Sequence, residues 1–157
     1  MYLANKLKDP GGISLDGVPI DIGKIKIPAY FVSTAEDHIA PWKSVYKGAR
    51  ILSGKVRFVL GGSGHIAGIV NPPSAKKYCY WINPKLAETS DEWLEKATRH
   101  DGSWWNDWQS WMEENNGGVK VAARVPGDGK LRVIEDAPGA YASLRLGAEK
   151  VKPKRDM

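Results

Sequence analysis

The chain has 157 residues, 42% of them hydrophobic and 26% charged, which suits one ordinary globular domain. No apolar run approaches the ~20 residues of a membrane span, and Met1-Tyr2-Leu3-Ala4-Asn5-Lys6 lacks the apolar stretch of a secretion signal. The net charge of +5 is concentrated late, since residues 118–157 hold nine Lys or Arg against five Asp or Glu; without interleaved aromatics, a nucleic-acid groove is not expected. One cysteine, Cys79, excludes an internal disulfide and a Cys-rich zinc site, and His38, His65 and His100 are not spaced as helical ligand pairs, so no metal and a cytoplasmic location are expected.

Residues 1–24 are rich in Gly, Pro and Asp, with Asp9-Pro10-Gly11-Gly12 as a turn signal, and read as a connecting segment. The run from Lys26 to Val32 is β-branched and aromatic and stops at Ser33-Thr34-Ala35-Glu36-Asp37. It predicts a buried strand with Asp37 just past its carboxyl end. Pro41 opens a helix of about three turns that carries Val45, Ala49 and Leu52 on one face, and Gly54 stops it. Lys55 to Leu60 predicts a second strand, ended by Gly61-Gly62-Ser63-Gly64 immediately before His65. Strand, helix and strand in this order predict a βαβ unit whose two strands are parallel neighbours.

After Asn71-Pro72-Pro73 the pattern turns helical, with Thr89 and Glu92 spaced as a capping box ahead of Trp93, Leu94 and Ala97. Another helix is expected from near Ser103 to Asn115-Asn116-Gly117-Gly118, its Trp104, Trp108 and Trp111 on one face that docks on the body of the domain or approaches a hydrophobic product. Val119–Val125 and Leu131–Ile134 read as short edge strands or extended chain, and residues 146–157 as a basic, solvated tail.

Chemistry gathers where two consecutive parallel strands each deliver a titratable residue to the same sheet edge, because ligands in α/β sheets bind outside the strands' carboxyl ends. Here those residues are Asp37 and His65. In α/β-hydrolases the order is nucleophile, acid, histidine, so acid followed by histidine matches the last part of such a fold. The carboxylate would fix the imidazole's tautomer and the imidazole would take the nucleophile's proton. Glu36 and His38 flank Asp37 as rivals. Gly61-Gly62-Ser63-Gly64-His65 is no nucleophile elbow, since His65 stands at the final glycine position and an elbow precedes the acid; Ser63 is expected to be a turn residue. Cys79 follows the histidine without a strand-to-helix turn and is not expected to be catalytic.

Several blocks resemble the C-terminal region of bacterial polyhydroxyalkanoate synthases of the short-chain type. They are Tyr2-Leu3-Ala4-Asn5-Lys6-Leu7, Gly17-Val18-Pro19-Ile20-Asp21, Glu36-Asp37-His38-Ile39-Ala40-Pro41-Trp42, Arg57-Phe58-Val59-Leu60, Ser63-Gly64-His65-Ile66-Ala67-Gly68-Ile69-Val70-Asn71-Pro72-Pro73, Gly102-Ser103-Trp104-Trp105 and Ala137-Pro138-Gly139-Ala140-Tyr141. Asn106 stands where that family is expected to have proline. The resemblance implies that residues 1–145 are the C-terminal part of an α/β-hydrolase-like catalytic domain, with parallel strands and flanking helices. It implies an acyltransferase that polymerises 3-hydroxyacyl-coenzyme A into polyester with release of coenzyme A. The thioester is then a substrate, and no cofactor is required.

By the same resemblance His65 is the general base for a cysteine nucleophile, and Asp37 promotes attack by the 3-hydroxyl during elongation. The family's nucleophile box lies upstream of the matched region and these residues contain none, so the isolated chain is expected to be inactive and to need an upstream synthase half. An uncovered strand edge and an uncovered sheet face with Phe31, Val32, Phe58 and Leu60 are expected on the same ground. Further expected partners are the polyester chain and a second copy as a homodimer, and the expected location extends to the polyester granule surface. The alternative is a non-catalytic, granule-associated or binding module that retains the C-terminal fold.

Overall fold

The computed structural model describes residues 3–125, 127 and 129–145; the basic tail over 146–157 lies outside the described residues. The chain divides into two units at Val119 and Lys120. The first carries β1 (Ser14–Leu15), β2 (Val18–Pro19), β3 (Ala29–Thr34), α1 (Trp42–Ala49), β4 (Val56–Gly61), β5 (Cys79–Ile82), α2 (Ser90–Glu95), β6 (Thr98–Asp101) and α3 (Trp105–Asn115). The second carries the short α4 (Gly139–Ala142), and the segments 119–125 and 131–134 form no strand among the described residues.

The βαβ expectation holds. β3 and β4 are parallel neighbours in the register Phe31↔Phe58 and Thr34↔Gly61, with α1 as the crossover. Beyond β4 the expectation of parallel strands is corrected, because β5 pairs antiparallel with β4 and β6 antiparallel with β5, giving the order β3-β4-β5-β6. The fold is thus mixed α/β. The helical reading after Pro73 is corrected too: Pro73–Ala75 makes a single 3₁₀ turn, and Cys79-Tyr80-Trp81-Ile82 extends as a strand. Aromatic and β-branched side chains suit a pleated surface, and Asn83-Pro84 closes the run before a helical period can establish itself.

The connecting segment at the start holds a hairpin. Asp16 (φ 47°) and Gly17 (φ 76°) occupy the two turn positions between β1 and β2, a conformation that an Asp-Gly pair adopts with little strain. The capping box forms as read, Thr89 Oγ1 accepting from the Glu92 amide and Glu92 Oε2 from the Thr89 amide, both at 3.2 Å. α3 ends as read, with Gly117 and Gly118 at positive φ beyond it.

Alternation along the strands divides the core between the two sheet faces. On one face Phe58 and Leu60 are buried with Tyr46 and Ala49 of α1 and Trp93 of α2, while Phe31 packs at the margin. On the other, Val59 and Tyr80 are buried with Trp104, with Tyr30, Val32, Ile69 and Trp105 around them. The expected uncovered face is therefore corrected: Phe58 and Leu60 are 0% and 1% exposed, beneath side chains of this same chain. β3 is the edge of the sheet next to the site.

Candidate active site

Parallel pairing sends the ends of β3 and β4 to the same edge, and backbone bonds fasten the loops that leave them. The Ala35 amide donates to the Gly61 carbonyl at 2.8 Å, and the Glu36 amide to the Ser63 carbonyl at 3.1 Å. Ser63 holds φ 71°, the left-handed turn expected of it, and His65 follows two residues later.

On this frame Asp37 and His65 meet. His65 Nδ1 lies 2.8 Å from Asp37 Oδ2, while Asp37 Oδ1 accepts from the amides of Ile39 at 2.9 Å and Ala40 at 2.8 Å. The Ala40 amide, the His65 bond and the Ile39 amide together hold the Asp37 carboxyl below the usual carboxylate range. A carboxylate only accepts hydrogen bonds, so in the neutral ring His65 Nδ1 carries the proton and Nε2 keeps its lone pair. No described residue bonds Nε2. The Asp37 side chain is 7% exposed and that of His65 46%, so the acid is shielded while the imidazole is presented. This is the arrangement of a general base with an orienting carboxylate.

The structure also separates the rivals. Glu36 and His38 are exposed, and neither side chain bonds His65 among the described residues. Cys79 begins β5, half-buried over Gly62, whose amide donates to the Cys79 carbonyl at 2.7 Å; no bond joins it to His65.

The tryptophan face docks in part as expected. Trp104 and Trp111 pack around Tyr30 with ring centroids at 6.2 and 5.4 Å, whereas Trp108 is 39% exposed. Sequence reading missed two anchors beside them. Asp107 accepts from the Tyr30 hydroxyl and from Arg57 Nε, each at 2.9 Å, and its second oxygen meets the other arm of the guanidinium. Burial, and after it the Asp107 charge, push the Tyr30 hydroxyl far above its ordinary value, so it remains a donor. The second anchor is Trp105, whose indole N–H donates to the Ile69 carbonyl at 2.9 Å. These partners lie tens of residues apart and carry no local sequence signal. Among the described residues no three His, Cys, Asp or Glu side chains gather as metal ligands, and no helix is long and apolar enough to cross a membrane.

No family model matches the chain. It is 44% identical over 144 residues, 92% of its length, to the poly(3-hydroxyalkanoate) polymerase subunit PhaC of Cupriavidus necator, covering 24% of that protein. The corresponding subunit of Rhizobium etli is 49% identical over 92% of the chain and 22% of the relative, and poly(3-hydroxyalkanoate) polymerase 2 of Ectopseudomonas oleovorans 40% over 92% and 26%. The chain thus spans about a quarter of the length of the curated relatives it matches. Over nine-tenths of its residues the chain is similar to the C-terminal region of the poly(3-hydroxyalkanoate) polymerases.

Proposed function

We propose that these residues are the acid and base portion of a poly(3-hydroxyalkanoate) polymerase of α/β-hydrolase type, acting on 3-hydroxyacyl-coenzyme A and the growing polyester. The observation that carries the reading is the 2.8 Å contact between His65 Nδ1 and a shielded Asp37 carboxylate at the ends of adjacent parallel strands. The similarity to polymerases over 92% of the chain supports the substrate class.

In the proposed reaction His65 Nε2 takes the proton of a cysteine thiol, and the thiolate attacks the thioester carbonyl. Coenzyme A leaves with that proton, so the base is regenerated. In elongation the same nitrogen takes the proton of a 3-hydroxyl, whose oxygen attacks the enzyme-bound acyl carbonyl; the ester forms as the carbon–sulfur bond breaks, and the cysteine leaves with that proton. Asp37 already receives two amides and the imidazole, and its depressed proton affinity makes it a weak base. It would therefore serve both half-reactions through His65, a broader role than the elongation-only one implied by resemblance. These 157 residues contain no Gly-x-Cys-x-Gly box, so the thiol would come from another segment.

The site needs no cofactor beyond its substrates, and the setting would be the cytoplasm or a granule surface. A second copy of the assembled polymerase as partner belongs to the same proposal. The test is the Cupriavidus necator polymerase with its matching quarter replaced by this chain, assayed for coenzyme A release from 3-hydroxybutyryl-coenzyme A. Release is expected from the chimaera and none from the 157-residue chain alone. A folded but inactive chimaera, or release by the chain alone that Cys79→Ser abolishes, would overturn the reading.

A further inference from the structure

His65 sits on the exposed rim of a tight turn, and its own ring contacts are few. Its side chain is 46% exposed, and the next residue, Ile66, is 72% exposed. Packing from above therefore cannot hold the imidazole against Asp37, and its direction depends on the backbone that carries it.

That backbone is fixed from below. The turn closes on itself through the Gly68 amide to the Gly64 carbonyl at 2.9 Å and the Val70 amide to the Ile66 carbonyl at 2.8 Å. Gly68 is wedged against the strand ends so closely that a Cβ there would lie 2.4 Å from Thr34 Cγ2 and 2.5 Å from the Gly62 carbonyl oxygen. The Gly68 and Ile69 carbonyls then point away from the turn and are captured by two indoles: Trp104 Nε1 donates to Gly68 at 3.0 Å and Trp105 Nε1 to Ile69 at 2.9 Å. Buried Asn71 closes the far end, its amide donating to the carbonyls of Lys77 at 3.0 Å and Gly102 at 3.4 Å. Two consecutive carbonyls three and four residues past the base are thus tied to two consecutive tryptophans at the start of α3.

We propose that Trp104 and Trp105 are positioning residues for His65, their paired indole N–H groups holding the histidine turn in the register that keeps Nδ1 on Asp37. The proposal rests on Asp37 and His65 being the acid and base. What distinguishes it from simple helix docking is the donor. Trp93 is wholly buried in the opposite core, yet its Nε1 has no partner among the described residues, so its contribution there is the ring alone. Replacing each tryptophan by phenylalanine removes the N–H and keeps most of an aromatic ring. Only at Trp104 and Trp105 does the lost group lead to the site.

The experiment is nitrogen-15 NMR of the full chain labelled at histidine, reading the ratio of the two His65 tautomers, together with amide hydrogen exchange. Trp105→Phe is expected to raise the share of the Nε2–H tautomer about threefold and to speed exchange at Gly68 and Val70 by roughly tenfold, the size set by one net hydrogen bond. Trp104→Phe is expected to do the same or more; should that buried variant not fold, half-buried Trp105 carries the test. Trp93→Phe should leave the His65 ratio unchanged even where it lowers stability further. Wild-type tautomer ratios in the folded variants, or an equal shift in Trp93→Phe, would overturn the clamp. Asp37→Asn separates the two claims. If it disturbs the ratio while the tryptophan variants do not, the clamp alone fails; if it leaves the ratio untouched, the acid–base reading fails.

Discussion

The two faces of the four-stranded sheet are held in different ways. Under α1 and α2 aromatic rings fill the contact, with Phe58 meeting Tyr46 and Trp93 edge-on, each pair at 5.1 Å between centroids, and the bonds beside them, from the Tyr46 hydroxyl to the Ala87 carbonyl at 2.9 Å and from Asn83 to the Trp93 carbonyl at 3.1 Å, do not reach the histidine turn. Under α3 the contact is directional, through the bonds of Asp107 to Arg57 and Tyr30 and of the indoles of Trp104 and Trp105 to the histidine turn. Packing area stabilises without specifying an angle, while hydrogen bonds and ion pairs specify one at modest net energy. The face bonded to the turn that carries His65 is the one under α3.

The comparison breaks most sharply at Phe58. Phe58→Ala empties the centre of the apolar face, where burial is complete, and is expected to lower unfolding free energy by about 3–5 kcal/mol while the folded fraction keeps the wild-type His65 tautomer. Urea unfolding and histidine NMR on one sample read both quantities, and a changed tautomer would show that the faces are not independent. Asp107→Ala attacks the other face. It leaves the Arg57 guanidinium and the Tyr30 hydroxyl without their shared acceptor, and because the Arg57 side chain is 32% exposed, the expected loss is at the low end for a broken buried pair, about 2–3 kcal/mol. Here the His65 tautomer should shift as well, since α3 carries both the ion pair and the indoles.

Acidity gives the smallest effect and sharpens the comparison within the site itself. Asp37 is held below the usual carboxylate range, so its contribution to stability is present in full above that range and is lost as pH falls through the depressed value. A stability difference between wild type and Asp37→Asn is expected at neutral pH and should close only in acid. Unfolding midpoints across pH would show it, and a gap that widened on acidification would reverse the sign.

How much of this was legible in sequence follows the same division. The βαβ unit, the capping box and the pairing of Asp37 with His65 rest on local patterns and on topology, so they could be read. β5 and β6 could not. Cys79–Ile82 alternates no apolar and polar residues, and Thr98-Arg99-His100-Asp101 is wholly exposed and polar, so pairing with a neighbour makes it a strand and nothing in its own composition does. The helical period read the docking of Trp104 and Trp111 on Tyr30 but gave no sign of Trp105. It grouped Trp104, Trp108 and Trp111, but the bonds to the site come from Trp104 and Trp105, which share no helical face and act from the helix start. Arg57 and Asp107, 50 residues apart, meet only after the sheet is built.

The central claim is that His65, oriented by Asp37, is the base for both acyl transfers. Single-turnover loading of 3-hydroxybutyryl groups onto the nucleophile of the chimaeric polymerase tests it most directly, because loading precedes elongation. His65→Ala is expected to slow loading by about 10² to 10⁴-fold, and Asp37→Asn to slow loading and elongation together. Loading at the wild-type rate in His65→Ala would contradict the account.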